Sequence, residues 1–231
     1  MGSQSGQTAG FSNQNQLSFM KFYRALTTVA ACLLAATTAK ATLLTPGNTI
    51  GLSLGSGPVG ASLLAATNVS FNGVDSGNNV LFSGTLTSSV YSGDTSNPFG
   101  GLTFTYQLTS NPSSVNAIDR MTLNRFSGFQ TDISYSDSGV VPIRATRTGG
   151  SGDLIAFVFE NASFQPILTP GSSSVLLVIQ TDSTVWDIGN GSVIDGATAN
   201  VPVFVPLAVP EPTTLALLAL GAAALMARRK A

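Results

Sequence analysis

The strongest constraint on this chain is a period-two pattern cut by turn residues at short intervals. In residues 102–109, apolar and polar side chains alternate strictly, so Leu102, Phe104, Tyr106 and Leu108 fall on one face of a strand and the threonines and Gln107 on the other. That pattern predicts a half-buried strand. Val80, Phe82, Leu86 and Val90 keep the same period, and residues 64–71, 117–123 and 131–135 read similarly. Residues 154–159 and 175–179 are apolar on both faces, which predicts central strands covered on each side. Residues 201–205 supply a last strand.

Turn chemistry lies between these runs. Asp75-Ser76-Gly77-Asn78-Asn79, the stretch 92–98, Asn111-Pro112, Asp137-Ser138-Gly139, the stretch 149–153, Pro170-Gly171 and Gly189-Asn190-Gly191 tolerate positive φ or preset a bend. No helical periodicity of useful length appears away from the termini. The expected fold is all-β, a single antiparallel two-sheet sandwich of jelly-roll or Greek-key order with roughly eight to ten strands.

The two ends differ from this middle. Residues 209–231 read VPEPTTLALLALGAAALMARRKA: Val209-Pro210-Glu211-Pro212, an apolar run over 215–227, then Arg228, Arg229 and Lys230. An apolar helix entering a bilayer is halted by cations that stay on the cytoplasmic side, so the order of parts predicts a short C-terminal transmembrane helix over 213–231 with a basic stop. From Thr213 to Ala227 such a helix reaches only about 23 Å of a hydrocarbon core near 30 Å, which predicts transient anchoring. Pro210 and Pro212 keep Val209 and Glu211 extended, and residues 206–212 form a stiff linker.

These residues resemble the PEP-CTERM sorting signal of bacterial envelope proteins. The resemblance implies recognition by an exosortase, a membrane cysteine protease that removes the tail, in bacteria that make exopolysaccharide. It covers about a tenth of the chain and carries an address without an activity.

At the other end, residues 1–19 carry no charge and precede Met20-Lys21-Phe22-Tyr23-Arg24, the basic start of a secretory signal. Residues 1–19 read as a mis-assigned start or an extension, and residues 20–41 as the signal peptide. Ala39-Lys40-Ala41 gives signal peptidase its small residues, leaving residues 42–205 as the ectodomain. A competing reading makes Val29-Ala30-Ala31-Cys32 a lipobox with Cys32 lipidated. Cleavage after Ala41 leaves an ectodomain without cysteine, which excludes disulfides and thiol chemistry there.

Composition narrows the chemistry. The ectodomain holds four arginines (Arg120, Arg125, Arg144, Arg147) against ten acids, a net charge of −6, and has no basic patch for nucleic acid. The chain has no histidine and the ectodomain no lysine, so a Ser-His-Asp triad, a His-ligated metal and Schiff-base chemistry are excluded. What remains is carboxylate chemistry. Glu160 and Asp153 are the nominal pair for a glycoside hydrolase, which needs two acids about 5–9.5 Å apart. Asp182, Asp187, Asn190 and Asp195, in a Gly-rich stretch, offer the hard oxygens of a candidate calcium site, although the spacing is not that of an EF-hand. No other cofactor is implied. Trp186, Tyr91 and Tyr135 lie near turns where rings can stack on sugars, against the commoner role of a lone Trp in core or rim packing.

The resulting expectation is an exported, non-enzymatic protein with a structural or adhesive place in the extracellular matrix. Its expected partners are signal peptidase and exosortase, with no nucleic acid. The runner-up is an exopolysaccharide-binding module, and the third reading is a carboxylate-type glycoside hydrolase.

Overall fold

The computed structural model describes residues 41–209, together with Gly2 and Leu220. Within them the chain forms twelve strands: β1 Thr42–Leu43, β2 Thr49–Ile50, β3 Ser62–Val74, β4 Val80–Ser92, β5 Thr103–Ser110, β6 Arg120–Leu123, β7 Thr131–Ser136, β8 Arg144–Arg147, β9 Ile155–Val158, β10 Leu176–Thr181, β11 Trp186–Asp195 and β12 Ala197–Pro206. They build two six-stranded sheets with antiparallel ladders. One runs β1-β7-β10-β5-β4-β3 and the other β12-β11-β6-β9-β8-β2. The count exceeds the eight to ten expected because β1 and β2, two residues each, leave no trace in a period-two pattern.

Sequence neighbours pair in the β3-β4-β5 meander and in the β8-β9 and β11-β12 hairpins. The other connections cross between sheets, which seats β10 between β5 and β7 and β6 between β9 and β11. The period-two residues then meet in one core. Phe82, Leu86, Phe104, Leu108 and Ile179 from the first sheet pack against Met121, Leu123, Phe157, Val193 and Val203 from the second. Burial of each such side chain stabilises the fold by about 1.5–3 kcal/mol. Tyr106 carries a hydroxyl into this core and uses it: Oη donates to the Phe204 carbonyl at 2.6 Å, while the Phe204 N–H donates to Ser88 Oγ at 3.1 Å. Two polar bonds therefore tie β4 and β5 to β12 across the sandwich.

β5 departs from the half-buried strand that alternation predicts. Its outward threonines, Thr103 and Thr105, are buried along with the core face. The segments around Val59 and Asp94 fold back over the outside of the first sheet and cover the row formed by Thr103 and its cross-strand partner Gln180. A second layer of this kind is polar and follows no hydrophobic period.

β11 is the other departure. Gly189-Asn190-Gly191 reads as a turn, yet it lies mid-strand, and all ten residues of β11 pair with β12. A Cβ on Gly189 would stand 2.5 Å from Val205 Cγ2, so glycine here permits close packing of β11 on its partner.

Among the described residues no helix is long and apolar enough to cross a membrane. The expected leader through Ala39, the Cys32 lipobox, Pro210, Glu211, Pro212 and the basic Arg228, Arg229 and Lys230 lie outside the described residues. The expected span 213–231 does too, save Leu220.

Candidate functional site

Val209, the first residue of the expected sorting motif, is exposed three residues beyond the end of β12. The last strand is anchored on both sides of that exit: Trp186 pairs with Pro206, and the Leu207 N–H donates to the Val185 carbonyl at 2.9 Å. The chain thus leaves the sandwich from a fixed point, with Leu207 and Val209 exposed.

The aromatic trio does not form one platform. Trp186 sits in the second sheet, half-buried against Phe204 in an edge-to-face contact with ring centroids 4.9 Å apart, worth about 0.5–1.5 kcal/mol beyond its area. Tyr135 packs toward the core from β7. Tyr91 lies opposite Thr103, on the outward face of β4.

The candidate calcium ligands are likewise spread out. Asp187 and Asp195 stand near opposite ends of the extended β11, about 27 Å apart at roughly 3.4 Å per residue, so one ion cannot take both. Each acid or amide also has local work. Asp182 Oδ1 accepts the Gln130 N–H at 3.0 Å, and Asn190 Nδ2 donates to Asn200 Oδ1 at 3.3 Å. Asp187 pairs with Arg125 at 2.8 Å; the Ile188 N–H and Arg125 hold its carboxyl below the usual range. Among the described residues no group of three acids is placed to hold a metal.

Asp153 and Glu160 flank opposite ends of β9, whose four residues alone span about 10 Å, beyond the separation a glycosidase pair uses. Asp153 Oδ1 accepts the Arg125 N–H at 3.1 Å. The partner Glu160 does have is Asp119, which the period-two reading passed over inside an apolar run. The two carboxyls share one pair of arginines: Arg144 Nη2 lies 2.8 Å from Glu160 Oε2, and Arg120 Nη2 stands 4.0 Å from both acids, while Asp119 Oδ1 is buried without a hydrogen-bond partner. Burial, with the charge of Glu160, pushes Asp119 up to about 6. For Glu160, burial works upward but is outweighed by its neighbour Asp119, the Arg144 bond and the charges of Arg144 and Arg120, leaving it below its ordinary value. The two acids therefore titrate as a pair held beside two arginines.

Two further polar centres escaped the sequence. Asp94 Oδ1 accepts from the Val59 N–H at 2.9 Å, the Ser96 N–H at 3.0 Å and Ser96 Oγ at 2.6 Å, and its Oδ2 from Thr103 Oγ1 at 2.7 Å and Gln180 Nε2 at 3.0 Å. Burial alone would raise its pKa; these bonds bring it below the usual value. Arg147, buried and without a carboxylate in contact, donates to the carbonyls of Gly152, Leu44, Phe126 and Phe129 and to Thr131 Oγ1. A cavity of about 20 Å³ beside Gly55, Ser96, Ser134 and Gln180 has room for one water and none for a sugar. A charged residue isolated among turn residues was the available signal for both centres.

The PEP-CTERM protein-sorting motif model matches residues 208–230. The chain carries a PEP-CTERM sorting motif. The motif implies an exported protein targeted to an exosortase and delivered to the cell envelope or surface. No curated protein and no solved structure matched the chain. The match begins at Ala208, two residues past β12, so the PEP-CTERM tail starts where the paired backbone ends.

Proposed function

We propose that this PEP-CTERM protein is a non-enzymatic structural or adhesive component of the extracellular matrix, released or displayed after exosortase cuts its tail. The observation that carries the proposal is the motif at 208–230 following directly on a sandwich whose end strands are tied down. What supports a structural role is the use of its charged groups. Asp94, Arg147, Arg144 and Glu160 are bonded to other parts of the fold, and these bonds stitch the covering segments to the sheets. Sequence export signals at both ends fit the same role, with signal peptidase acting first and a transient membrane stage between the two cuts.

The test compares the native host with an exosortase deletion. Expected are a tail-free ectodomain in the matrix fraction of the parent and a full-tailed form held with the membrane in the deletion, with a biofilm weakened by loss of the protein. Equal processing and equal location in both strains overturns the proposal. Exopolysaccharide binding is the second reading, and Tyr91, half-buried opposite Thr103, is the one member of the aromatic trio outside the core cluster. Retention on a column of the host polysaccharide, lost on Tyr91→Ala, would establish it.

A further inference from the structure

A two-sheet sandwich has four edge strands, and three of these are blunted. β1 and β2 are two residues long, and β12 carries Pro202 and Pro206, which donate no N–H. β3 is different. It is thirteen residues long, SLLAATNVSFNGV, with no proline and no charged side chain, and it pairs on one side only, with β4. β12 lies against β3 without joining its ladder, and among the described residues no loop hydrogen bond reaches the free edge. Of the devices that normally guard an edge, β3 has a bulge near its start, where Leu64 is skipped in the register with β4; proline and shortness, which guard β12, β1 and β2, are missing from it, and so is charge.

We propose that the free edge of β3 pairs with β3 of a second copy of this chain, antiparallel and about a two-fold axis, joining two sheets into one. The edge is its own complement, since an antiparallel strand offers the same sequence of N–H and C=O groups to its two-fold mate. Charge permits a copy to meet a copy at this strand. The ectodomain is acidic overall, and β3 is a stretch where two copies approach with no like charges opposed. A two-fold register within the stretch after the Leu64 bulge places Asn68 opposite Asn68 and brings Ala66 opposite Ser70. The contact is at most about 44 Å long and, at roughly 10 Å wide on each partner, buries at most about 900 Å² in total. That is the size of a weak, transient interface, so the dimer dissociates readily in dilute solution and gains strength where many copies are displayed together.

The inference does not rest on the destination of the protein and is tested on the purified exported form. Sedimentation over a hundredfold concentration range is expected to show a monomer–dimer equilibrium. Asn68→Lys, which sets two cations opposite each other on an exposed position, is expected to weaken it at least tenfold. Thr198→Lys on the proline-guarded β12 leaves it unchanged. Asn68→Cys is expected to form a covalent dimer on mild oxidation, the sole other cysteine being Cys32 in the leader. A monomer at every concentration, or a dimer indifferent to Asn68→Lys, overturns the proposal. Failure of Asn68→Cys to cross-link overturns the two-fold register.

Discussion

Glu160 holds Arg144 Nη2 at 2.8 Å on one carboxyl oxygen, and Arg120 Nη2, 4.0 Å from its other oxygen, stands at the same distance from Asp119. The folded-state pKa of Asp119, raised to about 6 from 3.8, makes its proton a source of stability that is fully present below the unfolded value and lost as pH rises through 6. Asp132, also raised by burial, acts in the same direction. Glu160 and Asp94, both lowered, contribute stability above their unfolded values that is lost as pH falls through their folded ones. Melting temperature is therefore expected to fall between pH 5 and pH 7. Asp119→Asn keeps a donor toward Glu160 without a titrating proton, so scanning calorimetry should find a shallower slope and a more stable protein at pH 7. An unchanged slope would count against Asp119 as the group that titrates.

Arg147 is held by five acceptors that no other residue can satisfy together. Arg147→Met strips a donor from the Leu44, Phe126, Phe129 and Gly152 carbonyls and from Thr131, all in a buried setting, and is expected to cost about 3–5 kcal/mol in urea denaturation. Arg147→Lys recovers little, since an ammonium offers three donors at one point in place of a planar fork. Equal stability of the Lys variant and the parent would refute the clamp.

The sheets were legible where burial is one-sided. β5 is predicted at 102–109 and lies at Thr103–Ser110, and the apolar runs 154–159 and 175–179 contain most of β9 and β10. Legibility fails where a strand's reason to exist is its partner. β8 alternates arginine with Ala145 and Thr146, and its buried Arg147 belongs to a polar clamp that no hydropathy pattern encodes. β11 carries glycines that read as a turn because their use, admitting Val205 and Val203 at close range, depends on β12 being beside them. The candidate sites fared similarly: acids beside turns were legible as turn acids. Asp75, whose Oδ1 accepts the Gly77 and Asn79 N–H groups at 2.8 and 2.9 Å, is the plainest case. The Asp119–Glu160 contact joins positions 41 residues apart and needed the fold.

Gly189 offers a direct check on that account. Gly189→Ala places a methyl 2.5 Å from Val205 Cγ2 and 3.0 Å from Asn124 Oδ1, and overpacking of this order costs about 1–3 kcal/mol. A turn glycine with no neighbour in reach, Gly149, is expected to accept alanine with little change on the same denaturation assay.

Trp186 separates a packing role from a sugar-binding one. Its ring meets Phe204 edge-on and shields the end of the core, so Trp186→Ala is expected to cost about 2–4 kcal/mol, with most of the loss restored by Trp186→Phe. A stacking residue would behave in the opposite way, leaving stability intact and weakening glycan retention. Thermal denaturation and a polysaccharide column on the same two variants distinguish the outcomes.

The tail makes the last prediction. The proposed membrane stage puts an apolar segment of about 15 residues, short for a bilayer core near 30 Å, under the control of Arg228, Arg229 and Lys230, which would reach headgroups on the cytoplasmic side. Replacing all three with glutamine removes that stop without altering the sandwich, whose last paired residue is Pro206. The substituted chain is expected to slip through the membrane and appear outside with its tail uncut, having spent too little time beside the exosortase. Glu211→Ala tests the other half of the signal: anchoring persists because the cations remain, and the uncut chain accumulates in the membrane fraction. Intact-mass measurement on each fraction reads both results. Normal tail removal in the glutamine variant would show that the motif is recognised without a membrane stop.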